Sequence, residues 1–384
     1  ENLTDKCRAV VEQAIVLDEK QREELDDKSI FGRRKKGAKG SLALKHWVLQ
    51  ALNAPGEAKF NRESSSPPRS PFSRKDTSSG LPEGSTVQVT NAVLQNLTLA
   101  LKRAERLGGD VADCCNRLAQ ETWSLLLESY VSVALDLAEQ VLPDEDPREE
   151  PDTRFFLQTT QAINMIIHQL TSHYQDQIVP RLEDDPNTKT RSRQSNQSKI
   201  RKIEQRLIYG LTLCLNAAIK HFEKLLARLQ RPGDFKPKDE NHNIDCTDTC
   251  EAACAFVTSQ ADCAMETLEG QNLDAYLAEF GRRVYHSLKT HLRKFSVSPL
   301  GAMVVSMDVK KYQATVQSFH IDEVSAKFAI LYDMTSLLLL PTEQLGMVIQ
   351  QRLLAVSKEE LHEFIKSRAD YQKQRIQIMS ALNL

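Results

Sequence analysis

From Phe155 to Tyr174 the chain carries Phe155, Thr159, Ala162, Ile163, Ile166, Leu170 and Tyr174, a spacing of i, i+4, i+7, i+8, i+11 in a segment that runs to Pro180. At about 3.6 residues per turn these side chains share one stripe, which predicts an amphipathic helix with one face to bury. Val89, Val93, Leu94, Leu97, Leu101 and Leu107 form another stripe, stopping at Gly108-Gly109. Leu273, Tyr276, Leu277, Phe280, Val284, Leu288, Leu292 and Phe295 form a third. Glycine is scarce, 14 in 384 residues against a usual share of roughly 7%. Few positive-φ positions are therefore on offer for the tight hairpins of a sandwich or barrel. The chain is read as all-α.

The punctuation between stripes divides the chain. Residues 1–29 and Ser41 to Asn53 have helical character, separated by the basic turn Arg33-Arg34-Lys35-Lys36. The Ser- and Pro-rich stretch 55–85 cannot bury enough apolar surface to offset its ordering entropy and reads as a disordered insertion. A helix over about Val111 to Leu142 closes at Pro143, and the acidic, proline-bearing run Asp144 to Asp152 reads as a linker. Thr188 to Lys202, polar and basic, reads as a loop entering a helix from about Ile203 to Arg231 that Pro232-Gly233 ends. Asp239 to Leu268 is the next expected helix. Asn272 is the expected cap of the one after, and Asp308 of a later one. Gly301 to Met307 is ambiguous between helix and strand. Pro341 separates two helices, and Ser357-Lys358-Glu359-Glu360 is a capping-box pattern opening a final helix. The expected domains are helical bundles over 1–143 (with the 55–85 insertion), 151–270 and 271–384. Helices of about 30 residues reach roughly 45 Å, so antiparallel bundles in series predict an elongated rod.

Bulk properties remove several function classes. A net charge of −2 supplies no field to recruit nucleic acid. No apolar run approaches the roughly 18 residues of a membrane span. Eight cysteines are too sparse for a disulfide scaffold and suit a reducing compartment. N-x-S/T triplets at Asn2, Asn96 and Asn196 are read as unglycosylated, since Asn96 lies within a helical stripe. The chain opens on Glu1 rather than Met, which reads as a fragment of a longer protein.

Candidate chemistry fails motif by motif. Gly32 to Ser41 resembles a phosphate loop, but Ala38 stands where the lysine must follow the second glycine, and no apolar strand precedes it. It reads as a solvated basic turn, with attraction to anionic headgroups as a weaker alternative. His242, Cys246, Cys250 and Cys254 are spaced by four. On one helix they would stack about 6 Å apart and span about 18 Å, whereas a zinc holds its ligands within about 2.3 Å. Two neighbours could start a site only with ligands from elsewhere, so the cysteines are read as small buried hydrophobes. His362-Glu363 lacks the second histidine of a zincin, because position 366 is Lys. His168 and His173, five apart, fit no common face. Glu149-Glu150 lies in the solvated linker. Ser66 and Ser70 precede prolines and are candidate phosphorylation sites within the insertion. No catalytic, cofactor-binding or metal-ligating residue is assigned, no cofactor is expected, and the chain is read as non-enzymatic.

Three stretches are more specific than periodicity requires: Thr160-Gln161-Ala162-Ile163-Asn164-Met165-Ile166, Gly233-Asp234-Phe235-Lys236-Pro237-Lys238-Asp239-Glu240-Asn241, and Arg368-Ala369-Asp370-Tyr371. Between the last two come Met303 and Asp308-Val309-Lys310-Lys311-Tyr312, then an apolar helix ending Leu339-Leu340-Pro341. In identity and order they resemble the exocyst component 5 family over about residues 153–375. The resemblance implies a rod of the CATCHR tethering-complex type and a scaffold that tethers secretory vesicles to the plasma membrane before SNARE-mediated fusion. It implies other exocyst subunits as partners, notably component 6, and small GTPases of the Rab or ADP-ribosylation-factor groups. It implies a cytoplasmic location, peripheral at the plasma membrane and vesicles. Two competing readings are a different helical interaction module, such as an F-box-linked recycling protein sharing this C-terminal region, and a metal-dependent enzyme built around Cys246, Cys250 and Cys254.

Overall fold

The computed structural model describes residues 85–108, 110–144, 147–182, 186–237 and 245–382. The expectations for 1–29, the basic turn, 41–53 and 55–84 lie outside the described residues. The described chain is all-α. Its helices are α1 (Ser85–Leu107), α2 (Val111–Ser124), α3 (Ser132–Glu139), α4 (Arg154–His173), α5 (Pro186–Leu229), α6 (Asp248–Thr267), α7 (Gly270–Leu292), α8 (Pro299–Gln317), α9 (Asp322–Leu339), α10 (Thr342–Arg352), α11 (Lys358–Ile365) and α12 (Tyr371–Leu382). Among the described residues there is no strand; an isolated bridge pairs Val297 with Arg368. No described helix is long and apolar enough to cross a membrane. The chain forms two compact units, one including Phe155–Gly210 and the residues up to Leu142, the other Pro143–Arg154 and Leu211–Leu384.

In the first unit, α1 ends where Gly108 takes a left-handed φ of 74°, a conformation that costs glycine little. Asp110 then caps α2, its side chain accepting from the Asp113 N–H at 3.0 Å. The expected helix from Val111 onward passes through a π-helical segment, Leu125–Val131, before α3 ends at Glu139. The helix expected to reach Pro180 likewise leaves α geometry at His173, through a π turn at Tyr174–Ile178 and a 3₁₀ turn at Val179–Leu182. Leu97, Leu101, Leu126, Leu127, Leu135, Leu157 and Ile163 are buried at the centre of this unit.

The expected loop at Thr188 to Lys202 is instead the start of the 44-residue helix α5. Its inward face there is polar. Ser192 and Asn196 are buried, and both accept from Gln120 Nε2 at 2.9 Å. Ser195 Oγ donates to Gln120 Oε1 at 3.0 Å, and the Tyr174 hydroxyl to Ser192 at 2.9 Å. Lys199 and Arg206 reach Ser124 and the Asp136/Glu139 pair farther along. Hydrogen bonds do here what an apolar stripe does elsewhere, so a hydrophobicity pattern does not register the helix.

The second unit is joined at its helix ends. Residues 147–154 are a docked strap rather than a solvated linker. Pro147, Pro151 and Thr153 are buried, and the Pro147 carbonyl accepts from Lys224 Nζ at 3.1 Å. Glu150 accepts from Ser259 and Gln260. Phe235, fully buried between α5 and α6, meets Phe295 edge-on at 5.4 Å, and its carbonyl accepts from the Ser298 N–H at 3.0 Å. Ser298 caps α8 by accepting from the Gly301 N–H, with Pro299 at the first helical position. The ambiguous run Gly301 to Met307 is therefore helical. Asp308 lies inside α8 and caps nothing in its own helix. The helix expected from Asp239 begins at Asp248, its residues up to 244 lying outside the described part. Asn272 lies within α7, which starts at Gly270 after Glu269. Ser357 does accept from the Glu360 N–H, but α11 is followed by α12, so it does not open the final helix.

Two predictions follow from this packing. A Cβ at Gly301 would stand 1.8 Å from the Phe235 carbonyl oxygen, whereas Gly233 has open space. Helix propensity favours alanine by roughly 1 kcal/mol, yet Gly301→Ala is expected to lose about 1–3 kcal/mol in urea unfolding through overpacking against backbone. Gly233→Ala changes little in the same assay. His291 is buried against Phe295, and burial, then Lys294, pushes its pKa down to about 4. The unfolded imidazole takes up its proton near its ordinary value of 6.5. The stability it contributes is therefore complete above that pH and lost as pH falls through about 4. At about 1.4 kcal/mol per pKa unit, wild type is expected to lose up to about 3 kcal/mol relative to His291→Gln between pH 7 and pH 4; parallel denaturation curves check it.

Candidate functional site

The N-terminus of α6 gathers the chemistry that the sequence left dispersed. Thr247 is its N-cap, and its hydroxyl oxygen accepts from the Cys250 N–H at 3.1 Å. Asp308, from the middle of α8, holds Thr247 in turn. One carboxylate oxygen accepts from the Thr247 N–H at 2.8 Å, the other from its Oγ1–H at 2.9 Å. A helix N-terminus suits an anion, because unpaired N–H groups and the helix dipole both point at it. Cys246, just ahead of the cap and outside any helix, directs its thiol to the Met307 carbonyl at 3.5 Å. Cys250 directs its thiol to the Asp308 carbonyl at 3.4 Å and lies 3.9 Å, sulfur to sulfur, from Cys254. The ligand atoms of Cys246, Cys250 and Asp308 all lie within 4.8 Å of one another.

The electrostatics are those of buried acids, with Lys311 the cation that pulls down on Cys246 and Cys254. Burial pushes Asp308 up to about 6, against the hydrogen bonds from Thr247 that pull it down. Cys250 is raised through its hydrogen bond with Cys254, then by burial and by Asp308. Burial, then Asp308, raises Cys246. Tyr312, 2% exposed, is raised by burial. Among the described residues no Lys, Arg or His is ion-paired with Asp308.

Of the four residues singled out by spacing, His242 lies outside the described residues. Cys250 and Cys254 are on α6, and Cys246 is not, so the stacked ladder expected of all four is absent. The signal missed was Asp308, a single acid inside the apolar run from Met303 to Val309. The other candidates are held apart in structural roles. His173 Nε2 meets Thr98 Oγ1 at 2.9 Å, while His168 is exposed. His362 Nε2 meets the Tyr371 hydroxyl at 2.8 Å, and Glu363 pairs with Arg293 at 2.7 Å and with Lys366. Asn196 is buried, and Asn96 lies on α1. Gly32 to Ser41, Asn2, Ser66 and Ser70 lie outside the described residues.

A second dense joint involves Arg368. Its Nη1 donates to the Leu337 and Leu340 carbonyls at 2.9 and 2.6 Å, satisfying the C-terminus of α9 where Pro341 ends it. Its Nε and Nη2 form a fork to Asp370, both at 2.8 Å. The flanking backbone pairs with Val297, through Val297 N–H to Ser367 O at 2.7 Å and Ala369 N–H to Val297 O at 2.8 Å.

The family model described as "Exocyst complex component Sec10-like, alpha-helical bundle" matches residues 1–379. A Homo sapiens protein named "Exocyst complex component 5" is 30% identical over 295 residues, 75% of this chain and 41% of that protein. Proteins of the same name from Drosophila melanogaster and Dictyostelium discoideum are 27% identical over 288 residues and 24% over 302. These cover 73% and 76% of this chain, and 39% and 31% of the relatives. The chain thus spans about two-fifths or less of the length of these relatives.

Arg368 yields a test of the second joint. Arg368→Lys keeps the charge but lacks the planar fork, so it leaves carbonyls of α9 without a donor. The loss expected in thermal or urea unfolding is at least about 2 kcal/mol, since hydrogen bonds to charged groups contribute roughly 1.5–3 kcal/mol each.

Proposed function

Because the chain belongs to this exocyst-component family, we propose that it is a scaffold segment of an exocyst subunit, acting through protein–protein contacts and not through catalysis. The observation that carries the reading is the family match over residues 1–379. The fold agrees with it: the described chain is helical, and its His, Glu and Arg side chains at the candidate positions are engaged in holding helices together. In this role the subunit tethers secretory vesicles to the plasma membrane before SNARE-mediated fusion. The work is geometric: helices hold partner-binding surfaces at set distances, roughly 1.5 Å of reach per helical residue. The partners are other exocyst subunits, component 6 first among them, together with a small GTPase of the Rab or ADP-ribosylation-factor type. Its place is the cytoplasm, peripheral to the plasma membrane and to vesicles through the assembled complex.

The test is affinity capture of the full-length protein from cells, with its co-purifying proteins identified. Exocyst subunits, component 6 among them, are the expected result; a capture without any exocyst subunit would overturn the proposal. Small-angle scattering of the 384-residue chain is expected to show an elongated particle, and a compact globule would remove the rod.

A further inference from the structure

We propose that Cys246, Cys250 and Asp308 form a binding site for a thiophilic divalent cation, zinc above all, that staples the segment before α6 to α8. The objection raised by spacing alone was that ligands on one helix are too far apart to share a metal. The fold answers it by drawing the ligands from three settings: a non-helical residue, the first turn of α6, and the middle of α8, 61 residues beyond Thr247.

The geometry is close to a coordination set. The three ligand atoms lie within 4.8 Å of one another. Zinc–sulfur bonds of about 2.3 Å and zinc–oxygen bonds of about 2.0–2.2 Å place tetrahedral neighbours roughly 3.5–3.8 Å apart. Closing the remaining gap of roughly an ångström takes side-chain adjustment, and Cys246, half-buried and outside the helix, has the most freedom to make it. The site is also electrostatically incomplete. A buried carboxylate is ordinarily paired, and Asp308 has hydrogen bonds from Thr247 but no cationic partner among the described residues.

The surroundings resemble an outer shell. The Thr247 N–H and hydroxyl fix the two carboxylate oxygens, and each oxygen keeps a lone pair for a metal. Two sulfurs and one oxygen suit zinc and exclude magnesium and calcium, which take oxygen ligands. Water is the ligand expected at a fourth tetrahedral position. On binding, each thiol releases its proton to solvent as its sulfur joins the metal. The thiol hydrogen bonds to the Met307 and Asp308 carbonyls are given up in that step.

The experiment uses the reduced, chelator-treated 384-residue chain and the metals alone. Titration with Co²⁺ is expected to give a saturable thiolate-to-cobalt charge-transfer band at one equivalent, which Zn²⁺ abolishes. Thr247→Val, which removes an outer partner of the carboxylate, is expected to weaken binding about 10–100-fold. Cys250→Ser and Asp308→Asn, which remove ligands, weaken it further, and Cys114→Ser leaves it unchanged. Should a variant fail to fold, the unmutated chain still decides. Zn²⁺ is expected to slow alkylation of Cys246, mapped by mass spectrometry, without slowing that of Cys114. The absence of a saturable band, a band indifferent to a folded Cys250→Ser chain, or alkylation of Cys246 unaffected by Zn²⁺ would each overturn the site.

Discussion

Every α-helix leaves about four N–H groups at its start and four carbonyls at its end without a partner in the helix. A chain built from helices must find those partners, and in the second unit side chains distant in sequence supply or hold several of them. Asp308 of α8 anchors the cap of α6. Arg368, beyond α11, satisfies the end of α9. The start of α8 is fixed by its own Ser298, whose N–H is held by the carbonyl of Phe235. At α6, α8 and α9 a helix end is thus tied to the contact that sets where a neighbour lies. Apolar burial supplies the bulk of the driving force but no direction; these joints supply the register.

What a sequence shows of such a structure follows from which forces leave a pattern. Apolar stripes at helical spacing exposed α1, α4 and α7, because burial repeats with the turn. The first half of α5 left no such mark. Ser192 and Asn196 face Gln120 and Tyr174 there, and a polar interface has no hydrophobic period. A cap that serves the next few residues is legible in sequence: Ser357 accepts from the Glu360 N–H three residues on, although the helix it opens is α11 and not the last. Asp308 was misassigned to its own helix because its beneficiary, Thr247, is 61 residues away. Spacing along one segment likewise says nothing about what a second helix brings to the thiols, as Asp308 of α8 is brought to Cys246 and Cys250.

The stretches that resembled the exocyst component 5 family fall largely on the joints. Gly233 to Pro237 contains Phe235 and its carbonyl contact. Asp308 to Tyr312 contains the acid under the α6 cap, and Arg368 to Tyr371 contains the fork to Asp370 and the hydroxyl that meets His362. There is a physical reason for that coincidence. On an exposed helical face many residues serve equally well, whereas only a guanidinium can span two carbonyls and a carboxylate at once.

The same joints bear on how the frame tolerates acid. His291, held near 4 from its ordinary 6.5, makes stability fall as pH drops through that window. Asp308, raised from 3.8 to about 6, has the opposite sign: its contribution is complete below 3.8 and lost as pH rises through about 6. Between about pH 4 and pH 6 the two slopes oppose each other, and one buried base offsets one buried acid without touching it.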